Sequence, residues 1–502
     1  MASPRPCLAA LLAGGLVLAL SHQARGSNGP QPQTVGTKGP VSLPIDGDGQ
    51  NMLRMPSSMA WSLEHRVDLD LFLFYSESSF RNALNDFDGS GSTFGISFGL
   101  IWAPGRPDFE SAEADEYSDA GKLTFAVGFM PDMAGGGGKK SFVRLETFPD
   151  GIGQRKAIQF LNVTLAASYT ITDWLAVGVG GHLIRASLDI TTLVGGGSTP
   201  LNGSPQINDV NFPGNPTYAD LLNLFSSDAA TDPTTLFESE LASFQFGATF
   251  SVSFRPLDNL GFGISYRPRS WDPLHFEGDA RIDATATLNQ LGPTTLPLLL
   301  ATLPGGGNEF ARGDFDAEYE VELYGVRVPR QVRASVAWWP SDRFLLAFEA
   351  TWIEWQRAFR RQIVKMTKGD NSDLNFIVGS SSITSNLPGR WKNTWVFALY
   401  GSARITDWLT LRSGVTVANR HPFNMGQTGV APNSGLSTVN LSFGAGWNHQ
   451  FSNGSVLEIN ALVEHSFHES DHVEAVTDVK TASGSYLSSK QWFFHIGASL
   501  TF

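Results

Sequence analysis

Ile171-Thr172-Asp173-Trp174-Leu175 recurs residue for residue as Ile405-Thr406-Asp407-Trp408-Leu409, and each copy sets a tight Thr-Asp turn between two segments of alternating hydrophobicity. Alternation with period two puts successive side chains on opposite faces of a β-strand. Three more tight turns have the same setting, at Pro256 to Asn259, Pro340 to Asp342 and Ser452 to Gly454. Long polar connections separate them, near residues 190 to 240, 278 to 325, 359 to 390, 421 to 436 and 471 to 486. Short hairpins at one end and long loops at the other are what a transmembrane β-barrel produces. No longer internal period accompanies the repeated pentapeptide, so it is one hairpin solution used twice.

Along the strands large apolar residues alternate with small or polar ones. Phe244, Phe246, Phe250, Val252 and Phe254 take turns with Gln245, Gly247, Ser251 and Ser253, so the large set faces lipid and the polar set the lumen. Reading every such segment predicts an all-β fold, a 14-stranded antiparallel transmembrane β-barrel, with strands that include 259 to 277, 326 to 339, 343 to 358 and 391 to 404. An even number returns both ends to one face. With the first strand starting at the periplasm near residue 67, all five tight turns fall on the periplasmic side. The last strand alternates Trp492, Phe494, Ile496, Ala498, Leu500 and Phe502 to the final residue; a soluble edge strand so apolar would invite aggregation. Trp102, Trp174, Trp338, Trp339, Trp352, Trp355, Trp408 and Trp447 gather near strand ends, where interfacial girdles belong.

The first residues give the destination. Arg5, the apolar run Leu8 to Leu20 and Ala24-Arg25-Gly26 read as a signal peptide over residues 1–26, too short to span a bilayer as a helix. Cys7, the sole cysteine, leaves with it, so a disulfide, a thiol nucleophile and a Cys-based metal site are all excluded from the mature chain. Losing Arg5 and Arg25 takes the net charge from −13 to −15, which speaks against nucleic acid as a partner. Hydrophobic residues are 42%, with no apolar run of helical-span length beyond the signal. No phosphate loop appears: the glycine runs 135–138, 195–197 and 305–307 lie in expected loops and lack a Lys-Ser/Thr directly after the glycines. His465, His468 and His472 lie close together, but the first is on a strand and the others lead into a loop, which argues against a metal site. No cofactor, no metal and no enzymatic activity are expected.

Several segments, in order, resemble the FadL family of outer-membrane transporters for long-chain fatty acids and other hydrophobic compounds. They are Leu161 to Leu165 through Ile171 to Gly180; Gly263-Ile264-Ser265-Tyr266-Arg267-Pro268 with Phe276-Glu277-Gly278; Val328-Pro329 through Trp339-Pro340-Ser341-Asp342-Arg343 to Trp352-Ile353-Glu354-Trp355; and Trp408 to Gly414 with His421-Pro422-Phe423. The resemblance covers about residues 155 to 502. It implies an N-terminal plug, or hatch, over 27–66 ahead of a barrel over 67–502. Where the family carries Asn-Pro-Ala before the first strand, this chain has Met55-Pro56-Ser57, so a shorter or looser plug is expected.

The resemblance also implies how ligand moves. Apolar outer loops capture it, and here Leu221, Leu222, Leu224 and Phe225 at helical spacing, and Leu296, Leu298, Leu299 and Leu300 between prolines, supply apolar patches that otherwise cap the barrel. Arg185 stands near the family's basic residue for a ligand carboxylate, although a gapless match puts Ser187 there; Arg333, Arg404 and Arg412 could equally face the lumen. In Phe129-Met130-Pro131-Asp132-Met133, Pro131 cannot donate to the ladder, so the third strand ends or kinks there. Family members use a kink in this strand as a lateral gate. The expected protein is a monomer in the outer membrane of a Gram-negative cell, whose partners are hydrophobic small molecules such as fatty acids, outer-membrane lipid and the barrel assembly machinery. A diffusion porin for small polar solutes, or an adhesion or structural barrel, is the alternative.

Overall fold

The computed structural model describes residues 42–44, 51–62, 64–81, 86–104, 122–135, 141–145, 148–195, 206–207, 210–211, 234–285, 307–378, 381–388, 392–419, 439–473 and 485–502. The expected signal peptide over 1–26 and the segments that carry Leu221 to Phe225 and Leu296 to Leu300 lie outside them. In chain order the strands are β1 (Arg66–Arg81), β2 (Asp86–Trp102), β3 (Leu123–Gly135), β4 (Ser141–Leu145), β5 (Phe148–Thr172), β6 (Leu175–Gly195), β7 (Gln206–Ile207) and β8 (Val210–Asn211). Next come β9 (Thr234–Leu257), β10 (Leu260–Arg267), β11 (Leu274–Asp283), β12 (Asp316–Val326), β13 (Gln331–Ser341), β14 (Phe344–Ile353) and β15 (Arg361–Thr367). Last are β16 (Ile383–Pro388), β17 (Thr394–Arg404), β18 (Leu409–Ala418), β19 (Val439–Gln450), β20 (Val456–Val473) and β21 (Ser485–Thr501). Among the described residues, leaving out the short β4, β7 and β8 and counting β10 with β11, β12 with β13, β14 with β15 and β16 with β17 as single passages, fourteen antiparallel passages form the wall. β1 pairs with β21 from Arg66–Thr501 to Arg81–Tyr486, which closes the barrel and removes the edges that lipid could not satisfy.

Alternation decides which side faces what. On β5, Asn162, Thr164, Ser168 and Thr170 are buried toward the lumen while Leu165 is 66% exposed on the outside. On β9, Phe244 and Phe246 are exposed outward and Gln245, Thr249, Ser251 and Ser253 are buried inward, as the sequence predicts. A charged residue in place of a lipid-facing one at mid-height costs about 2–4 kcal/mol, so the outer stripe stays apolar. The five tight turns join β5 to β6, β9 to β10, β13 to β14, β17 to β18 and β19 to β20. Gly454, at φ 86°, supplies the left-handed residue in the last of them.

The passages expected as continuous strands over 259 to 277, 326 to 339 and 343 to 358 are broken instead, whereas the one expected over 391 to 404 stands as β17. Arg267 and Leu274, Val326 and Gln331, and Ile353 and Arg361 flank the interruptions, and a short helix (Trp355–Ala358) fills the third. Pro268, Pro273 and Pro329 stand in these gaps and cannot donate to a ladder. Beyond the breaks the sheet resumes as β9-β11-β12-β15-β16 and extends into residues expected to be loop. The reason for the difference is the medium. His275, Glu277, Asp279 and Arg281 point outward on β11, so this part of the wall stands in water, and its outer face reads as polar loop in the sequence. Trp355 also departs from the expected girdle: the helix turns it inward, where it is buried against Phe359. Trp102, Trp174, Trp338, Trp408 and Trp447 do sit exposed on the outer surface.

Candidate functional site: the barrel lumen

The outer third of the lumen is apolar. Phe160, Ile184, Leu274, Phe276, Tyr319, Val321, Leu323, Phe310, Phe315 and Trp355 form one buried cluster between the extended sheet and short helical segments. The segments are tied down by carboxylates: Asp373 accepts the backbone N–H of Glu309 at 2.8 Å and of Phe310 at 3.0 Å. The Tyr319 hydroxyl donates to Asn375 Oδ1 at 3.2 Å, and burial, aided by the charge of Asp370, pushes its pKa up to about 12. The side chains at this end are thus packed as a continuous apolar cluster, the kind of surface with which a molecule that water rejects would associate.

Below it residues 42–44 and 51–62 pack against the inner face of the wall. A short helix (Asn51–Arg54) and a 3-10 turn (Pro56–Trp61) bury Met52, Leu53, Met55 and Met59 completely or nearly so. Met52 and Met59 pack with Ile101, Ala126, Met130 and Ala166 of β2, β3 and β5. Ser57 donates its backbone N–H to Ser251 Oγ at 2.8 Å and shares a 2.7 Å hydrogen bond with Ser253 Oγ. Met55-Pro56-Ser57 fits because the wall is bare opposite it: a Cβ at Gly263 would overlap Met55, and one at Gly178 would overlap Ser57. Leu43 joins Ala337, Leu345 and Tyr400 on the far wall.

An ion pair fastens the same segment. Arg333 Nε lies 2.9 Å from Glu349 Oε1, both side chains nearly buried. Arg333 donates to the Arg54 carbonyl at 3.3 Å, and Glu349 Oε2 accepts the Ser42 N–H at 2.8 Å. Arg412 is bound to Glu458 and Asn460 in the lumen, whereas Arg404 is exposed at the periplasmic end. Glu349 went unnoticed in the sequence, where one acid in a strand carries no signal until its opposite across β13 and β14 is known.

Arg185 requires correction. Its strand turns His182, Ile184 and Ala186 inward, so Arg185 takes the outward face with Leu183, between Leu161 and Phe244. Period two puts Ser187 on that side as well. Leu221, Leu222, Leu224, Phe225, Leu296, Leu298, Leu299 and Leu300 lie outside the described residues. His465 packs against Trp492 on the outer face of the wall, with ring centroids 4.0 Å apart and the planes tilted by 33°.

Pro131 is buried within β3, which bends rather than ends. The β3–β5 ladder slips register between Pro131 and Met133 and runs on to Gly135–Ile158. On its other side β3 pairs with β2 only from Trp102–Phe125 to Phe98–Phe129, while β2 continues along β1 as far as Arg81–Asp86. Tilted strand of that length climbs about 10 Å, less than half of the ~25 Å apolar band. Above that height no β2–β3 pair occurs among the described residues.

A Pseudomonas aeruginosa FadL homologue superposes with a TM-score of 0.61 at 16% identity, over 95% of this chain and 99% of that one. The toluene transporter TodX of P. putida gives 0.63 at 14% identity over 95% and 99%, and the Ralstonia pickettii toluene transporter TbuX gives 0.58 at 14% over 95% and 98%. At such identities the likeness is one of fold. No curated protein sequence matches the chain. Residues 137–498, more than two thirds of the sequence, match the family described as "Outer membrane protein transport protein (OMPP1/FadL/TodX)", and the chain therefore belongs to this family of outer-membrane transport proteins.

Proposed function

We propose that the protein is a passive channel for hydrophobic molecules, fatty acids among them, with no catalytic step. Ligand lands on the leucines of the outer loops, enters the apolar cluster around Phe276 and Trp355, and leaves sideways into the membrane between β2 and β3. The N-terminal segment acts as the plug that keeps small polar solutes from the periplasmic half of the lumen. The observation that carries this reading is the short β2–β3 ladder. Backbone groups left without partners at membrane depth cost several kcal/mol each unless they line a cavity, so a wall opened at one seam implies a use for the opening. A porin for polar solutes would instead keep the lumen free of buried methionines and line it with water.

The test is Pro131→Val, which restores a ladder donor and favours strand geometry. Uptake of a hydrophobic substrate by whole cells should fall severalfold, while heat-modifiable migration on gels, the mark of a closed barrel, persists. Normal uptake through a folded variant would place the exit elsewhere, such as the periplasmic mouth.

A further inference from the structure

Asn162 stands on the lumen face of β5 between two apolar neighbours, Met130 across β3 and Ile184 across β6. Met130 belongs to the cluster that receives the N-terminal segment, and Ile184 to the outer apolar cluster. Asn162 is 0% exposed. Neither its Oδ1 nor its Nδ2 has a hydrogen-bond partner among the described residues. Its surroundings show that this wall can satisfy polar groups: one step toward the periplasm, Thr164 and Thr249 bracket the His182 ring at 3.0 and 2.8 Å. An amide buried without partners gives up its hydration and gains nothing in return, and a leucine of similar volume would avoid that cost. Folding alone gives no reason for an asparagine here.

We propose that the Asn162 amide is the polar recognition point of the channel, and that it takes apolar molecules bearing one hydroxyl or one un-ionised carboxyl group. The inference rests on the channel reading above and adds the chemistry of what passes. An amide presents an acceptor and a donor side by side. A hydroxyl donates to Oδ1 while accepting from Nδ2, and a neutral carboxyl does the same through its two oxygens. An ionised carboxylate, which only accepts, meets the amide oxygen repulsively. A pure hydrocarbon leaves both atoms of the amide unmet. The location suits such recognition, because a tail can remain in the outer apolar cluster while the head reaches Asn162. Its cross-strand neighbour Met130 follows directly on Phe129, the last β3 residue paired to β2.

The experiment compares uptake of p-cresol and p-xylene, a hydroxyl exchanged for a methyl, by porin-deficient cells carrying the full chain or its Asn162→Leu variant. Uptake of p-cresol should fall about tenfold in Asn162→Leu, equivalent to ~1.4 kcal/mol, while p-xylene uptake is unchanged or rises. Asn162→Ser, which keeps a donor and an acceptor, should retain part of the preference for p-cresol. Heat-modifiable migration reports folding of both variants. Undiminished p-cresol uptake in Asn162→Leu overturns the proposal and leaves Asn162 as the holder of a structural water. Equal loss of both compounds in a folded Asn162→Leu barrel also overturns it, because a steric block rather than recognition would be at work. Entry of neither compound through the unmodified chain overturns the channel reading itself.

Discussion

Gly178 of β6 and Ser57 of the N-terminal segment meet backbone to backbone, so closely that a Cβ on the glycine would overlap the serine nitrogen. β6 is held on both sides by β5 and β9. The segment is therefore the part that must yield to any added side chain.

Gly178→Val accordingly unseats residues 55–58 while leaving the wall intact. Overpacking of this kind costs about 1–3 kcal/mol. Limited proteolysis should cut the N-terminal segment about tenfold faster, equivalent to ~1.4 kcal/mol, and liposomes bearing the variant should leak small polar solutes. Unchanged protection and unchanged leak would remove the plug role from this segment.

The Arg333–Glu349 pair anchors the segment at Arg54 and Ser42. Glu349→Gln leaves a buried guanidinium without its counter-charge, a loss of about 3–5 kcal/mol for pairs of this type. The double variant Arg333→Met with Glu349→Met leaves no orphaned charge and should unfold closer to the unmodified protein. Thermal melts in detergent distinguish the two. A milder loss in the single variant than in the double would show that the pair contributes nothing beyond volume.

Capture by the outer loops is tested by Leu222→Asp combined with Leu299→Asp. Two charges in a patch that binds apolar ligand should lower affinity for a fatty-acid-like probe by about tenfold, equivalent to ~1.4 kcal/mol, with folding preserved. Titration of the purified barrel with a fluorescent fatty acid measures it. Equal affinity would reduce these leucines to a cap.

Phe502 exchanges two backbone hydrogen bonds with His65, at 3.0 and 2.9 Å, one residue before β1 begins. Deleting it removes both bonds at the closing seam, worth about 1–3 kcal/mol together. Heat-modifiable protein recovered from the outer membrane and refolding yield in detergent should therefore both fall severalfold. Undiminished yields in both settings would mean that closure does not depend on these two bonds.

The barrel itself was legible in the sequence because its rule is local. Period two in β5 and β9 assigns Leu165 and Phe246 to lipid and Asn162 and Gln245 to the lumen, and the five short turns give the parity of the wall. That locality failed where the medium changed. Above the membrane the outward side of β11 and β12 carries His275, Glu277, Glu318 and Glu320, so a continuous wall read as polar loop. Arg185 was misassigned by one step of the same alternation, since a family position carries no parity of its own. What only the tertiary structure decided depends on partners distant in the chain: Gly178 against Ser57, Arg333 and Glu349 against Ser42, the end of the β2–β3 ladder at Phe98 and Phe129, and the unpartnered amide of Asn162. Each is a relation between a wall strand and another surface. Alternation tells a strand which way its side chains point, and only closure of the barrel tells them what they meet.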